Sequence, residues 1–285
     1  MFALNFNKIT MPVFYGKVAL VAYLNSVNTS KSPIGFVPTM GALHDGHISL
    51  IKEARANNDF VIVSIFVNPT QFLKGEDLST YPRKEEADMK ICQMCKVDFL
   101  FMPDINTMYE EDEVLIKAPQ NSYVLEGLTR PGHFDGVLQV VLKLFNLTRP
   151  TNAYFGKKDA QQLALIQQMV KNLFIDINIV PCDIVREISG LALSSRNVYL
   201  SAEQKQEALK ISKSIYMAGN LIAKGERNSK VVKEKIYEVL ENLDVEYVKI
   251  VNKKFDEINT IEPSNTIILV VVRFGKVRLL DNIWM

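Results

Sequence analysis

The sequence predicts an α/β protein: a doubly wound (Rossmann-like) parallel sheet with a second, smaller α+β C-terminal domain. Short strand-like runs alternate with helical stretches over the first two-thirds of the chain, which is typical of βαβ units. Residues 60–67 are apolar almost throughout and rich in β-branched residues, as expected for a parallel strand buried on both faces. After about Val185, two successive helical stretches precede the last strand-like runs. We therefore predict one domain over 1–183 and a second over 184–285.

The elements of the first domain are predicted from composition and periodicity. Residues 34–37 form a strand candidate that leads into a helical run, and the apolar strand 60–67 follows. A strand over 97–102 ends at Pro103, because proline has no N–H group for a ladder hydrogen bond. The remaining strands are predicted at 153–155 and 175–180, and the helices at 46–56, 83–96, 132–147 and 159–173.

The second domain begins with a helix-start signal. Ser201 and Gln204 have the spacing of a capping box, so we predict a helix from there to about Lys224. A second helix is predicted over 229–243. Strands are predicted at 245–251 and 267–272, and a turn at Gly275 leads the chain back into a strand at 277–280.

The composition is that of a globular protein and excludes several classes of partner. Of the 285 residues, 48% are hydrophobic and 23% are charged, and the formal net charge is +1. Such an even balance leaves no broad basic field for nucleic acid or a membrane surface. No apolar run approaches the roughly 18 residues of a membrane span, and the first residues lack the pattern of a signal peptide. We expect a cytoplasmic protein without nucleic-acid or membrane partners.

The three cysteines indicate neither a disulfide framework nor a metal site. Cys92 and Cys95 have CxxC spacing, but they lie within the predicted helix 83–96, and no second Cys/His pair is nearby. Cys182 stands alone. We predict ordinary helix-face thiols and no metal held by the protein, with a redox or zinc site as the alternative.

The most informative segment is a strand-to-helix turn over residues 38–47, with the sequence PTMGALHDGH. Its glycines permit tight turns and a close approach by a ligand, and the helix start offers free N–H groups and a positive dipole end to a phosphate chain. His44 and His47 lie three residues apart, on one side of a helical turn. Each can donate a hydrogen bond to a phosphate oxygen, and a protonated ring would also offset the charge of a departing pyrophosphate. The alternatives are a metal-binding HxxH pair and two surface histidines.

A second strand-to-helix turn and a later loop carry matching chemistry. Lys158, in the turn 156–159, supplies a point charge for a phosphate, and Asp159 is placed to cap the following helix. The run 193–196, Leu-Ser-Ser-Arg, supplies two hydroxyls and a guanidinium that can clamp a triphosphate. Gln71 follows the apolar strand at the edge where ligands gather in open α/β sheets. A solvated loop, an ordinary turn and a surface glutamine are the respective alternatives.

Residues 44–47, His-Asp-Gly-His, resemble the HxGH signature of nucleotidyltransferases related to the class I aminoacyl-tRNA synthetases. The longer segment 38–47 resembles the pantothenate synthetase family in particular. Further segments agree with that family in order and spacing, and the resemblance runs from about residue 34 to residue 200. These segments are SIFVNPTQF at 64–72 with YPR at 81–83, EGLTRPGHF at 126–134, FGKKDAQQL at 155–163 and GLALSSRN at 190–197.

The resemblance implies an ATP-dependent ligase. Such an enzyme condenses pantoate with β-alanine to give pantothenate, AMP and pyrophosphate through an enzyme-bound pantoyl-adenylate, with Mg²⁺ accompanying the triphosphate. The resemblance also implies a homodimer, and we expect the C-terminal domain to act as a lid. We expect His47, His44 and Lys158 to be catalytic. The residues expected at ATP are Met40, Gly41, Ala42, Leu43, His44, Asp45, Gly46, His47, Gly156, Lys157, Lys158, Asp159, Val185, Leu193, Ser194, Ser195 and Arg196, and those expected at pantoate and β-alanine are Gln71, Gln162, Met40, Arg130 and His133.

Three positions depart from the pattern of the family that the chain resembles. Lys157 stands where Glu is usual, Ser189 where Asp is common, and Asp135 where Arg or a small residue is often found. They alter the charge around the nucleotide and the entrance, and none removes a residue to which chemistry is assigned. Two rival functions are a nucleotidyltransferase that keeps the nucleotidyl group on its product and a nucleotide-binding regulator without catalysis. The segments 68–72 and 130–134 argue against the first, and the retained histidines and basic residues argue against the second.

Overall fold

The computed structural model describes residues 11–26 and 32–285. Its N-terminal part contains a six-stranded sheet in which all neighbouring strands are parallel. The strands are β1 (Val13–Phe14), β2 (Ile34–Thr39), β3 (Phe60–Ile65), β4 (Phe99–Phe101), β5 (Asn152–Gly156) and β6 (Asn178–Cys182). Their order across the sheet is β1-β4-β3-β2-β5-β6. The predicted doubly wound parallel sheet is therefore confirmed.

Helices cover both faces of this sheet because their apolar stripes pack against it. The helices are α1 (Lys17–Ser26), α2 (Asp45–Asn57), α3 (Glu85–Met94), α4 (Ile105–Met108), α5 (Glu126–Thr129), α6 (His133–Thr148) and α7 (Ala160–Asn172). On one face, α1, α6 and α7 contribute Leu20, Leu144 and Ile166 to a single buried cluster. On the other face, α2 and α3 contribute Ile51 and Cys92 to a second cluster.

The switch point of the sheet lies between β2 and β5. From β2 the chain proceeds to β3 and β4 on one side, whereas β5 and β6 lie on the other side. The turns that leave β2 and β5 consequently diverge and open a crevice at the carboxyl edge, where ligands bind in such sheets. Both turns with phosphate-binding character, 40–44 and 157–159, are at this point.

The C-terminal part is an α+β unit with its own core, as predicted. Two helices, α8 (Ala202–Ala223) and α9 (Ser229–Val239), precede the strands β7 (Asp244–Asn252), β8 (Thr266–Phe274) and β9 (Val277–Trp284), which form an antiparallel sheet in the order β7-β8-β9. At the start of α8 the Ser201 hydroxyl accepts from the Gln204 N–H at 3.2 Å, and the Ser201 N–H donates to Gln204 Oε1 at 3.0 Å. The capping box is confirmed, and the domain division at residue 183 stays a prediction.

Some predicted boundaries are wrong because apolar residues pack without belonging to a regular element. The strand predicted at 175–180 is β6 at Asn178–Cys182, and the loop residues Ile175 and Ile177 pack against the large core instead. The helix predicted to reach residue 243 ends at Val239, and Leu243 packs on the C-terminal core from the following turn. Strand β1 and helix α1 were not predicted.

The two parts are joined by ionic contacts that bury charged groups. The Arg278 guanidinium in β9 donates to both carboxylate oxygens of Glu126 in α5, at 2.8 and 2.9 Å, and also to Glu246 in β7. The Tyr247 hydroxyl donates to the same Glu126 carboxylate at 2.7 Å. Removing one partner would leave the others buried without compensation, so we expect breaking this contact to be strongly destabilising. Within 11–26 and 32–285, no helix is both long and apolar enough to cross a membrane.

Candidate active site

The turn that leaves β2 is shaped by a glycine and by a buried carboxylate. Gly41 has φ +84°, and a Cβ there would lie 2.9 Å from Ile65 Cγ2, so a larger residue does not fit. The N–H groups of Ala42 and Leu43 each donate to the Asp88 carboxylate at 2.8 Å. Asp88 lies on α3 and is only 1% exposed. The turn is therefore held in place by a side chain of α3.

The contacts of Asp88 indicate that it holds the turn in place. Burial raises the pKa of its carboxyl group, and the two backbone N–H groups act against that shift. Since both of its oxygens accept hydrogen bonds from the turn, the carboxylate stabilises the conformation of that turn. One signal in the sequence could have found it: Asp88 lies four residues before Cys92, on the buried face of its helix.

Replacing Asp88 should destabilise the protein more than any change on the exposed face of α3. We expect Asp88→Ala to lower the free energy of unfolding by about 3 kcal/mol, because two buried N–H groups lose their acceptor. Denaturant unfolding measures this, with Glu86→Ala as the control, since Glu86 is exposed on the same helix. Equal changes in the two variants would contradict the structural role of Asp88.

His44 and His47 cap the helix that follows this turn. His44 Nδ1 accepts from the Gly46 N–H at 3.1 Å, and His47 Nδ1 accepts from the His44 N–H at 3.3 Å. A nitrogen that accepts carries no proton, so in both neutral rings the proton is on Nε2. A Cβ at residue 46 would lie 2.9 Å from the His44 ring, which explains the glycine between them. The two caps leave each Nε2–H free to donate to a ligand.

Both rings are neutral near pH 7. Burial lowers the pKa of His47 to about 3, and the neighbouring His44 and Lys158 act in the same direction. Burial also lowers the pKa of His44, and the positive charge of Lys158 adds a smaller shift in the same direction. The two histidines are therefore hydrogen-bond donors and not positive charges, unlike the protonated form considered from the sequence. The two imidazole ring centroids lie 4.1 Å apart, and Lys158 lines the same cavity as both histidines.

The turn that leaves β5 separates two adjacent lysines. The Lys158 side chain is 22% exposed and lies 3.6 Å from the Asp159 carboxylate, and both residues line the cavity described below. The Lys157 side chain points elsewhere and pairs with Asp183, with 2.5 Å between Nζ and Oδ1. Asp159 precedes α7, but its side chain makes no capping hydrogen bond. Of these two lysines, Lys158 therefore presents its ammonium group to the switch-point crevice.

The serine–arginine segment 194–196 lies opposite this turn and is held by the loop 73–81. The Ser194 hydroxyl caps a short 3₁₀ helix by accepting from the Arg196 N–H at 3.3 Å. The Arg196 guanidinium donates to both oxygens of Asp77 at 3.0 and 3.1 Å. Tyr81 Oη lies 3.2 Å from Ser195 Oγ. The Arg196 guanidinium therefore lines the cavity while it is paired with the Asp77 carboxylate.

Gln71 is buried and oriented by its neighbours. Its amide nitrogen donates to the Met40 sulfur at 3.0 Å, and its amide oxygen accepts from Asn68 at 3.2 Å. His133 Nδ1 donates to the Gln71 carbonyl at 2.7 Å, and Arg130 donates to His133 Nε2 at 3.0 Å. Both ring nitrogens of His133 are thus engaged within the protein, which favours a positioning role. Asn68, 1% exposed, also lines the cavity, and no role was predicted for it from the sequence.

Arg130 is similarly committed to a protein partner. Its guanidinium donates to both carboxylate oxygens of Glu76, each at 2.6 Å. Gln162, in the first turn of α7, lines the same cavity. All of the residues expected at pantoate line the cavity, namely Met40, Gln71, Arg130, His133 and Gln162. The Gln71 amide contacts Met40 and Asn68, and Arg130 and His133 both donate to the Gln71 carbonyl.

One cavity of about 260 Å³ brings these segments together at the switch point. Its lining includes Met40, His44, Gly46, His47, Gln71, Arg130, His133, Gly156, Lys158, Asp159, Gln162, Val185, Leu193, Ser194, Ser195 and Arg196. Other residues expected at ATP lie outside the lining, namely Gly41, Ala42, Leu43, Asp45 and Lys157. A larger cleft of about 1140 Å³ adjoins it between the two parts. The two strand-to-helix turns and the serine–arginine segment, each predicted from the sequence to bind phosphate, therefore line one cavity.

The three residues that depart from the family pattern have protein partners and do not line the cavity, although Asp183, the partner of Lys157, does line it. Lys157 pairs with Asp183, the Ser189 hydroxyl donates to Glu187 at 3.2 Å, and the Asp135 carboxylate accepts from the Ala118 N–H at 2.8 Å. None of the three lines the site. Among the described residues, no group of three or more His, Cys, Asp or Glu side chains is arranged to hold a metal ion.

The histidines make stability dependent on pH in a defined direction. Burial, followed by the positive charge of Arg130, lowers the pKa of His133 to about 4. The unfolded chain, with a histidine pKa near 6.5, binds more protons than the folded protein below that pH, so stability falls as the pH drops from about 6.5 towards 4.

We expect each such histidine to add up to about 1.4 kcal/mol per pH unit to the slope of unfolding free energy against pH in this window. His133→Asn keeps a donor for the Gln71 carbonyl and does not titrate. Its unfolding free energy, measured between pH 7 and 5, should fall less steeply than that of the wild type. An unchanged slope would show that His133 is not held neutral.

Comparison with known proteins agrees with this site. A model of the pantoate-β-alanine ligase family matches residues 14–284. A pantothenate synthetase of Aliarcobacter butzleri is 73% identical over 261 residues, which cover 92% of this chain and 96% of that protein. The crystal structure of pantothenate synthetase from Thermus thermophilus has a TM-score of 0.91 at 37% identity, covering 96% of this chain and 99% of that one.

A further solved structure carries ligands. Pantoate-β-alanine ligase from Francisella tularensis, solved in complex with beta-gamma ATP and β-alanine, has a TM-score of 0.79 at 39% identity and covers 96% of this chain and 97% of that one. The matched region includes every described segment that lines the cavity. The chain therefore belongs to the pantoate-β-alanine ligase family, and its activity is the ATP-dependent condensation of pantoate with β-alanine to give pantothenate.

Proposed function

We propose that this condensation proceeds in two steps in the switch-point cavity, through an enzyme-bound pantoyl-adenylate. A carboxylate does not react with an amine, because its carbonyl carbon is a poor electrophile. Activation by ATP removes this obstacle. The observation that carries the proposal is the single cavity lined by His44, His47, Lys158 and the segment 194–196, with Gln71 and Gln162 beside them.

In the first step a pantoate carboxylate oxygen attacks the α-phosphorus of ATP. A P–O bond forms, the bond between the α-phosphorus and its bridging oxygen to the β-phosphate breaks, and pyrophosphate leaves with that electron pair. We assign Lys158 to the charge that develops at the α-phosphate. The Nε2–H groups of His44 and His47 would donate to phosphate oxygens, and Ser194, Ser195 and Arg196 would bind the triphosphate from the opposite side.

In the second step the β-alanine amine attacks the acyl carbon, the C–O bond to the phosphate breaks, and AMP leaves as the nitrogen loses a proton. We assign Gln71 and Gln162 to pantoate, since an amide both donates to a carboxylate or hydroxyl oxygen and accepts from a hydroxyl. The protein mainly positions the reactants in this scheme, and His133 and Arg130 support the wall formed by Gln71.

Magnesium is proposed to accompany ATP. Its preferred octahedral oxygen ligands can come from the triphosphate and water, so a dedicated protein cage is not needed. The residues here fit that arrangement. Both oxygens of the buried Asp88 carboxylate accept hydrogen bonds from the turn, so they are not offered to a metal ion, and the Asp159 carboxylate lies beside Lys158 at the cavity. Magnesium bound to the phosphates would supply charge neutralisation.

Four further features stay proposals. We propose that residues 184–285 form a separate domain that acts as a lid, because the larger cleft lies between this part and the site. We also propose a homodimer and a cytoplasmic location. The fourth proposal concerns residues whose side chains do not line the cavity, and it is that they reach ATP through their main chain: Gly41, Ala42, Leu43, Asp45 and Lys157.

An isotope experiment tests the pantoyl-adenylate. Pantoate labelled with ¹⁸O in its carboxylate should transfer one labelled oxygen to AMP when ATP and β-alanine are present, because the attacking oxygen stays on the phosphorus. In the absence of β-alanine, labelled pyrophosphate should enter ATP only when pantoate is added. AMP without the label would overturn the proposed intermediate. A stable dinucleotide product would support the nucleotidyltransferase rival, and binding of ATP without any AMP would support the regulator.

A further inference from the structure

Two consecutive side chains outside the catalytic cavity contact two of the segments that build it. Asp281 and Asn282 lie in β9 of the C-terminal sheet and are 3% and 1% exposed. Asn282 lines neither cavity, and Asp281 lines only the larger cleft between the two parts. A polar pair is costly to bury unless its hydrogen bonds are made, so the partners of these side chains indicate what the pair is for.

Asn282 holds the turn that carries the catalytic lysine. Its amide nitrogen donates to the Lys158 carbonyl at 2.7 Å and to the Lys157 carbonyl at 3.1 Å. These carbonyls belong to the two peptide planes on either side of the Lys158 Cα, so fixing both of them fixes the direction in which the side chain leaves the backbone. The Trp284 indole N–H also donates to the Lys157 carbonyl, at 3.3 Å.

Asp281 holds the segment on the opposite side of the cavity. Its carboxylate accepts from both terminal nitrogens of Arg186, at 2.5 and 2.8 Å. The same guanidinium donates to the Gly190 carbonyl at 3.2 Å. Arg186 lies at the base of a small hairpin closed by a hydrogen bond from the Leu193 N–H to the Val185 carbonyl at 3.0 Å. This hairpin leads directly into the serine–arginine segment.

The two contacts are mechanically connected. The Asn282 N–H donates to Asp281 Oδ1 at 2.7 Å, and the two residues are neighbours in a strand that pairs along its whole length with β8. A rigid strand therefore determines the spacing between the Lys158 turn and the hairpin that carries residues 194–196. Interactions with a forming transition state depend on such spacing, because a misplacement of about 1 Å costs on the order of a hundredfold in rate.

We propose that Asp281 and Asn282 are positioning residues for the adenylation step, and that the C-terminal sheet sets the geometry of the ATP site through them. This inference rests on the proposed roles of Lys158 and the segment 194–196. It assigns the C-terminal part a role in the chemistry in addition to that of a lid, since β9 supports the catalytic turn directly.

The test uses pantoate-dependent exchange of pyrophosphate into ATP, with kcat and the KM for ATP measured separately. Asn282→Ala should lower kcat for exchange by about ten- to a hundredfold in protein that remains folded. The matched control is Asn58→Ala. Asn58 is 7% exposed and follows the C-terminal end of α2, its amide donates to the Ala54 carbonyl and the Tyr154 hydroxyl, both at 2.7 Å, and its side chain does not line the cavity. This control should lose comparable thermal stability and keep kcat within about threefold of the wild type.

The outcomes distinguish failure of the inference from failure of the proposed function. Wild-type protein without pantoate-dependent exchange would refute the adenylation proposal itself. Normal exchange in the wild type, with equal kcat in Asn282→Ala and Asn58→Ala, would overturn the positioning role alone. If Asn282→Ala does not fold, Trp284→Phe decides, because it removes only the third hydrogen bond to the turn and keeps an aromatic ring. We expect about a fivefold lower kcat for Trp284→Phe, and an unchanged kcat in that variant would overturn the inference.

Discussion

Lys158→Ala should abolish adenylate formation while the protein remains folded. We expect kcat for pantoate-dependent pyrophosphate–ATP exchange to fall by about 10²- to 10³-fold, the usual cost of removing one preorganised group that stabilises developing charge. The physical reason is the placement of the side chain: Lys158 lines the same cavity as the two capping histidines, whereas Lys157 does not line it.

Lys157, the adjacent lysine, provides a matched control for Lys158→Ala. Lys157→Ala removes the same charge from the same turn, but this side chain pairs with Asp183 and does not line the cavity. We expect its exchange rate to stay within about threefold of the wild type, because a partly exposed ion pair contributes little. Normal turnover by Lys158→Ala, or equal losses in both variants, would refute the role assigned to Lys158. Circular dichroism and thermal unfolding confirm that each variant is folded.

His47→Ala should have the second large effect, with exchange lowered about 10²-fold. The side chain has two functions that substitutions can separate. Nδ1 accepts from the His44 N–H at 3.3 Å and so caps α2, whereas Nε2–H is free for a phosphate oxygen. Alanine removes both functions, and a wild-type exchange rate in this variant would show that His47 has no part in adenylation.

Two nearly isosteric variants distinguish the functions of His47. His47→Asn places an oxygen where Nδ1 accepts, so it should retain the stability of the helix cap and lose exchange nearly as fully as alanine does. His47→Gln places an N–H group near the position of Nε2, so it should retain more exchange and lose about 1 kcal/mol of stability with the cap. Parallel losses of stability and exchange in both variants would indicate that His47 acts only as a cap.

Much of the fold follows from local patterns along the chain. The apolar run that became β3 and the alternation of strands with helices predicted the parallel sheet, because a strand buried on both faces needs apolar residues at every position. The Ser201 capping box predicted the start of α8 for a similarly local reason. Errors occurred at Ile175 and Leu243, where apolar character serves packing from a loop or turn. Periodicity alone does not distinguish these two uses of a hydrophobic residue.

The sequence predicted those site residues whose type and position have few purely structural explanations. Two histidines around a glycine at a helix start, and a lysine in a turn after a strand, indicate a phosphate site on chemical grounds. The same reasoning missed the roles of Asp88 and Asn282. A carboxylate and an amide are common on surfaces, and their importance depends on which backbone groups of distant segments they meet.

The linear sequence by itself determined the fold class, the family resemblance and the identity of the reactive groups, because these depend on residue types at short spacings. Tertiary structure alone decided which protonation state the histidines take and which side chains hold the catalytic turns in place. Those properties arise from burial and from contacts between residues as far apart as Lys158 and Asn282. Contacts of that range form only when the chain has folded, since they have no signature in local periodicity.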